Sequence, residues 1–98
     1  MSPEQKTQLE AAAFRRLLQH LDNRKDVQNI ELMNLAGFCR NCLSKWMMTE
    51  AIALDVDLDS NQARELVYGM PYSQWKANHQ RPATAEQLAT FDALQVAK

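Results

Sequence analysis

Glycine and proline are scarce in this chain, two and three residues of 98, and it lacks both long apolar runs and an excess of charge of one sign. Each shortage excludes something. Low glycine and proline beside 46% hydrophobic and 23% charged residues is the composition of an ordinary globular protein, and it argues against disorder or a loop-rich fold. Apolar runs reach five residues at Leu35 to Cys39 and four at Ala51 to Leu54. A membrane-spanning helix needs about twenty, so no bilayer crossing is expected. Eleven Lys and Arg face twelve Asp and Glu, a net charge of −1. No overall field draws such a chain to nucleic acid or anionic lipid, and neither is expected as a partner. The polar opening Met1-Ser2-Pro3-Glu4-Gln5-Lys6 matches neither a signal peptide nor a lipidation motif, which predicts a cytoplasmic protein.

Clean period-two alternation is missing too, and β-branched residues are sparse, so no strands are expected. Helix signals take their place. Ser2 reads as an N-cap with Pro3 in the first helical position and Gln5 placed to close a capping box. Leu9, Ala12, Ala13, Leu17 and Leu21 recur at helical steps, with Phe14 and Leu18 widening the face, so a first helix should run to about Leu21. Asn29 can cap a second, short helix that reaches Gly37. That glycine either ends the helix in a left-handed conformation or sits inside a longer bent one. Beyond it, Leu35, Cys39, Cys42 and Trp46 are spaced four, three and four apart, which places all four side chains in one helical stripe, so the cysteines and the tryptophan are expected to share a face.

The third helix should stop near Leu54, Asp59 or Ser60 should cap a fourth that ends at Gly69, and Pro71 can open a fifth through Trp75. Thr84 and Gln87 repeat the capping-box pattern before a last helix expected to dock through Leu88, Phe91 and Leu94. The expectation is an all-α fold, a compact irregular bundle of five or six short helices with no sheet, forming one domain over residues 1–98. At this length folding removes roughly 60–70% of the unfolded chain's surface from water, enough for a core without staples.

The segment Asp26 to Asn34 running into Phe38-Cys39-Arg40-Asn41-Cys42-Leu43, with Tyr68-Gly69-Met70-Pro71-Tyr72 and Trp75-Lys76 downstream, resembles a family of short bacterial proteins. That family carries an FCRNCL motif and is classified as domain of unknown function 1244. The resemblance covers nearly the whole chain. It implies a compact all-helical fold and brings no activity, substrate or catalytic residue with it.

The C-x-x-C pair Cys39/Cys42 holds both cysteines of the chain and is its main chemical signal. Three readings stay open. Free cysteine packs as a small hydrophobe, so the pair can simply belong to the core. Thiolates at i and i+3 can also share one metal ion, but a closed zinc site takes four ligands. Beyond the cysteines the chain offers His20, the third candidate ligand, and His79, with no H-x3-H spacing. Zinc is therefore an option the residues do not complete, unless a two-fold dimer brings two pairs together. A redox role needs a lowered thiol pKa, which a helix start after Gly37 and the cation of Arg40 would favour, although the strand-to-helix scaffold of familiar C-x-x-C oxidoreductases is missing.

Other enzymatic constellations are thin: Ser44 lacks a G-x-S-x-G context, no glycine-rich phosphate loop exists, and Asp55, Asp57 and Asp59 lack the glycine and glutamate of a calcium loop. The polar residues Gln28, Asn29, Asn34, Arg40 and Asn41 suit a buried hydrogen-bond network or a partner surface. Trp46, Tyr72 and Trp75 are types enriched at interfaces, though aromatic residues at helical spacing are more often core. The reading that results is a non-enzymatic binding or oligomerisation module, a dimer or adaptor. The alternative is a thiol-based metal-binding or redox-sensing protein using Cys39 and Cys42.

Overall fold

The structure, a computed structural model, describes residues 1–96. Among the described residues six helices follow one another: α1 Pro3–Asp22, α2 Asn29–Ala36, α3 Arg40–Ala53, α4 Ser60–Tyr68, α5 Tyr72–His79 and α6 Ala85–Val96. The described residues contain no strand, and none of their helices is long and apolar enough to cross a membrane.

Local chemistry sets most of the boundaries. Gln5 N–H donates to Ser2 Oγ at 3.1 Å while Ser2 N–H donates to Gln5 Oε1 at 2.9 Å, which satisfies two of the donors a helix start leaves free. The same reciprocal box opens α4 at Asp59 and Gln62 and precedes α6 at Thr84 and Gln87. Gly69 ends α4 at φ 72° and Gly37 ends α2 at φ 78°, a region that a side chain disfavours. A Cβ at Gly37 would meet nothing within 4 Å, so backbone conformation and not space calls for glycine there. α5 runs four residues past Trp75, to His79.

The left-handed turn at Gly37 overturns the shared face predicted for Leu35, Cys39, Cys42 and Trp46. Leu35 lies on α2 and is 86% exposed, Cys39 is the N-cap of α3, and Trp46 is 56% exposed. The inward stripe of α3 is instead Arg40, Leu43, Ser44, Met47 and Ala51, the i, i+3, i+4 pattern of one buried face. The cap of α2 is Gln28, one residue earlier than expected.

The core gathers Leu21, Leu43, Val67, Tyr68 and Trp75 from α1, α3, α4 and α5, with Phe14, Leu17, Leu18, Met47 and Tyr72 packed around them. α3 lies along α4 in the most extensive helix pairing, α5 and the second half of α1 pack on α4, and α6 pairs with α2. Residues 1–10 are all exposed. α1 therefore projects from a compact body, and the long axis reaches 48 Å against 32 and 25 Å for the others. α6 docks more lightly than its sequence predicts: Phe91 and Gln87 are half-buried, whereas Leu88 and Leu94 remain 48% and 40% exposed.

Candidate functional site

Arg40, the first residue of α3, is 2% exposed. Its guanidinium donates to Val27 O and Arg24 O at 2.8 Å each, to Asn29 Oδ1 at 3.1 Å and, at a longer 3.4 Å, to Leu21 O. It also lies 5.0 Å from the centre of the Trp75 ring. No carboxylate is among these partners. A cation at the start of its own helix is unfavourable, and the carbonyls of Leu21 in the last turn of α1 and of Arg24 and Val27 in the turn after it supply the opposing negative pole. Burial is the main influence lowering the Arg40 pKa, yet an arginine moved from so high a value stays charged.

Asn29 carries the network onward. Its amide donates to the Tyr68 hydroxyl at 3.0 Å, and that hydroxyl donates to Asn41 Oδ1 at 2.7 Å. The result is a directed chain, Arg40 to Asn29 to Tyr68 to Asn41, that ties α2, α3 and α4 together. Tyr68 is 2% exposed, and burial pushes its phenol well above the ordinary value, so it stays neutral and keeps its proton to donate. Gln28 makes a separate tie: its Nε2 donates to His79 O at 3.0 Å and its Oε1 accepts from Arg81 N–H at 2.8 Å. One side-chain amide thereby holds the strand-like exit of α5. Asn34 Nδ2 donates to Gln87 O at 3.1 Å across the α2/α6 joint, while its Oδ1 is buried without a hydrogen-bond partner among the described residues.

The cysteines sit at the corner between α2 and α3. Cys39 and Cys42 are free thiols with their Sγ atoms 3.9 Å apart, and Cys42 Sγ lies 3.7 Å from Met33 Sδ on α2. Phe38 and Trp46 flank this corner with ring centres 6.1 Å apart. Burial pushes the Cys39 thiol up, and the backbone amides of Cys42 and Asn41 recover only part of that shift. A poised nucleophile needs the opposite balance. His20 is exposed on α1 in a shallow groove with Arg15, Arg16 and Gln19. Among the described residues no three His, Cys, Asp or Glu side chains form a group able to hold a metal, so the structure joins the two cysteines and leaves His20 apart from them.

The aromatic candidates divide. Trp75 is 1% exposed and is core, out of a partner's reach, because it fills the space between Arg40, Tyr68 and the His79 ring. Tyr72 is half-buried, 5.1 Å from Tyr68 and under the Arg64 guanidinium at 4.9 Å. Trp46 is open to solvent. A cleft of about 530 Å³ beside the polar chain is lined by Gln28, Asn29, Asn41, Tyr72, Lys76 and Arg81, among others. Two features went unread in the sequence: Met33 as a neighbour of the cysteines, and the shared groove of Leu35 and Leu94. A sulfur six residues before Cys39 was the available sign of the first; contacts between α2 and α6 have no local sign.

A family model described as "Protein of unknown function (DUF1244)" matches residues 27–93. The match takes in the whole polar chain, both cysteines and Met33, and leaves out all of α1. No curated protein matches the chain.

Proposed function

From the premise that the chain belongs to the DUF1244 family, described only as of unknown function, we propose that it is a non-enzymatic binding module that pairs with a second copy of itself through the α2/α6 face. The observation that carries this reading is the state of that layer. Neither α2 nor α6 contains a buried residue, and Leu35 and Leu94 are 86% and 40% exposed. Leu35 and Leu94 line one groove of about 370 Å³ together with Met33 and Asn34.

Covering a leucine or valine fully is worth about 1.5–3 kcal/mol before the costs of association. A stable interface removes about 800 Å² from each partner, a modest fraction of the chain's 7281 Å². With a net charge of −1, two copies repel one another little. The saturation of the two most buried polar side chains of the site favours binding over catalysis: Arg40 donates to four acceptors and the Tyr68 hydroxyl both donates and accepts. The reading places the protein in the cytoplasm, where glutathione and thioredoxin keep such a thiol pair reduced.

Sedimentation equilibrium over micromolar to millimolar concentrations tests it. The expected result is a monomer–dimer equilibrium that Leu35→Glu and Leu94→Lys shift to monomer with the helical circular dichroism unchanged. A wild-type chain that stays monomeric throughout, or a dimer indifferent to both substitutions, overturns it.

A further inference from the structure

We propose that Cys39, Cys42 and Met33 form a three-sulfur site for a soft monovalent d10 metal ion, copper(I) above all. The inference rests on donor type, spacing and charge and does not require self-association, although Met33 also lines the groove of the proposed pairing face.

The donors are two thiols and a thioether, the set that selects copper(I) over harder ions. The two sulfur pairs that share Cys42 have a spacing that suits a common ion. Two sulfurs bound at about 2.3 Å with an angle between tetrahedral and trigonal lie about 3.8–4.0 Å apart, and here Cys42 Sγ stands 3.9 Å from Cys39 Sγ and 3.7 Å from Met33 Sδ. The donors also come from a rigid corner. Met33 belongs to α2, whose end Gly37 sets with a hydrogen bond from its own N–H to Met33 O; Cys39 caps α3 and Cys42 lies in its first turn. Cys39 is buried while Cys42 and Met33 are half-buried, so an ion has a way in from their side.

Charge supports the same assignment. On binding, each cysteine releases its thiol proton to solvent, and one M⁺ held by two thiolates and a neutral thioether leaves the centre at −1. That charge falls at the positive end of α3 and one residue from Arg40, a buried cation whose hydrogen-bond partners among the described residues include no carboxylate. A metal site supplies the negative charge that the fold otherwise replaces with carbonyl dipoles. A thiol held high by burial, poor as a nucleophile, still serves as a ligand because the ion displaces its proton. Zinc suits the corner less well: a closed site takes four ligands, and among the described residues no His, Asp or Glu joins the pair.

The test uses the full chain, reduced and kept anaerobic, titrated with copper(I) against a chromophoric copper(I) chelator. One copper per chain is expected. Cys42→Ser should abolish competition with the chelator. Met33→Leu, nearly equal in volume, should weaken binding by at least about tenfold, the loss that even a supporting residue of a metal site produces. X-ray absorption should count three sulfurs in the wild type and two in Met33→Leu, with unchanged circular dichroism showing that the variant is folded. Equal affinity and equal sulfur counts in the two proteins, or one copper for every two chains, would overturn the three-sulfur site.

Discussion

Two parts of this molecule reverse the usual relation between apolar sequence and burial. The body built by α3, α4, α5 and the second half of α1 buries Ala63, Tyr68, Trp75 and Arg40 to 2% exposure or less, although α4 and α5 are polar helices by composition. The α2/α6 layer is the more apolar by composition and buries no residue fully. Composition therefore does not locate the centre of this fold. The body closes because large side chains converge on a saturated polar chain; the layer stays open because α2 meets the body along one side only, through Leu32, Asn29 and Met33, and α6 has mainly α2 to pack against.

Substitutions that strike one part and spare the other sharpen this contrast. The largest effect is expected from Arg40→Met. It removes the guanidinium from the carbonyls of Leu21, Arg24 and Val27 and from Asn29 Oδ1; Leu21 O and Arg24 O keep a backbone donor, but four hydrogen bonds to a charged group, each worth about 1.5–3 kcal/mol, are lost, so urea unfolding should show a loss of about 3–5 kcal/mol. A loss below about 1 kcal/mol would mean that the body does not depend on this polar centre.

Tyr68→Phe comes next. It removes the donor to Asn41 and the acceptor for Asn29, for an expected loss of about 1–2 kcal/mol. The same residue predicts alkaline behaviour. Burial raises the Tyr68 phenol above its ordinary value of 10.0, so the neutral form is favoured in the fold. Its contribution is complete below pH 10 and drains away as pH climbs from there toward the folded-state value. Unfolding measured across this alkaline range should fall more steeply for the wild type than for Tyr68→Phe; parallel curves would remove Tyr68 as the cause.

The smallest expected effect lies in the layer. Leu35→Glu should alter the unfolding free energy of the dilute monomer by no more than about 0.5 kcal/mol, even as it disrupts pairing. A loss comparable to that of Arg40→Met would erase the distinction between body and layer.

Much of the local architecture was legible in the sequence, because capping is a contest between neighbours. Ser2 with Gln5, Asp59 with Gln62, and Thr84 with Gln87 act over three residues and appear where the residue types place them. Gly37 was ambiguous for a physical reason: glycine both ends helices and permits close packing within them, and only its φ of 78° separates the two. Joining Leu35 to Trp46 as one face depended on that undecided point. At the candidate site, the polar types at Gln28, Asn29, Asn34, Arg40 and Asn41 stood out as a group. Their partners did not, since most lie far along the chain: Gln28 meets the backbone of His79 and Arg81, and Asn29 meets Tyr68. The exposure of α6 was hidden for a related reason, because Leu88 and Leu94 have the right spacing but only α2 to lie against.

The grip of Arg40 is made almost wholly on main-chain oxygens, and this shapes how the region tolerates change. Every residue type, proline included, carries a carbonyl. Arg24 and Val27, whose side chains are exposed and half-buried, can vary widely while their oxygens keep receiving the guanidinium. In a saturation-mutagenesis map the turn after α1 would look permissive and Arg40 itself intolerant. The most demanding interaction of the fold would register on one of its two sides only, and the turn that completes it would pass for an ordinary surface loop.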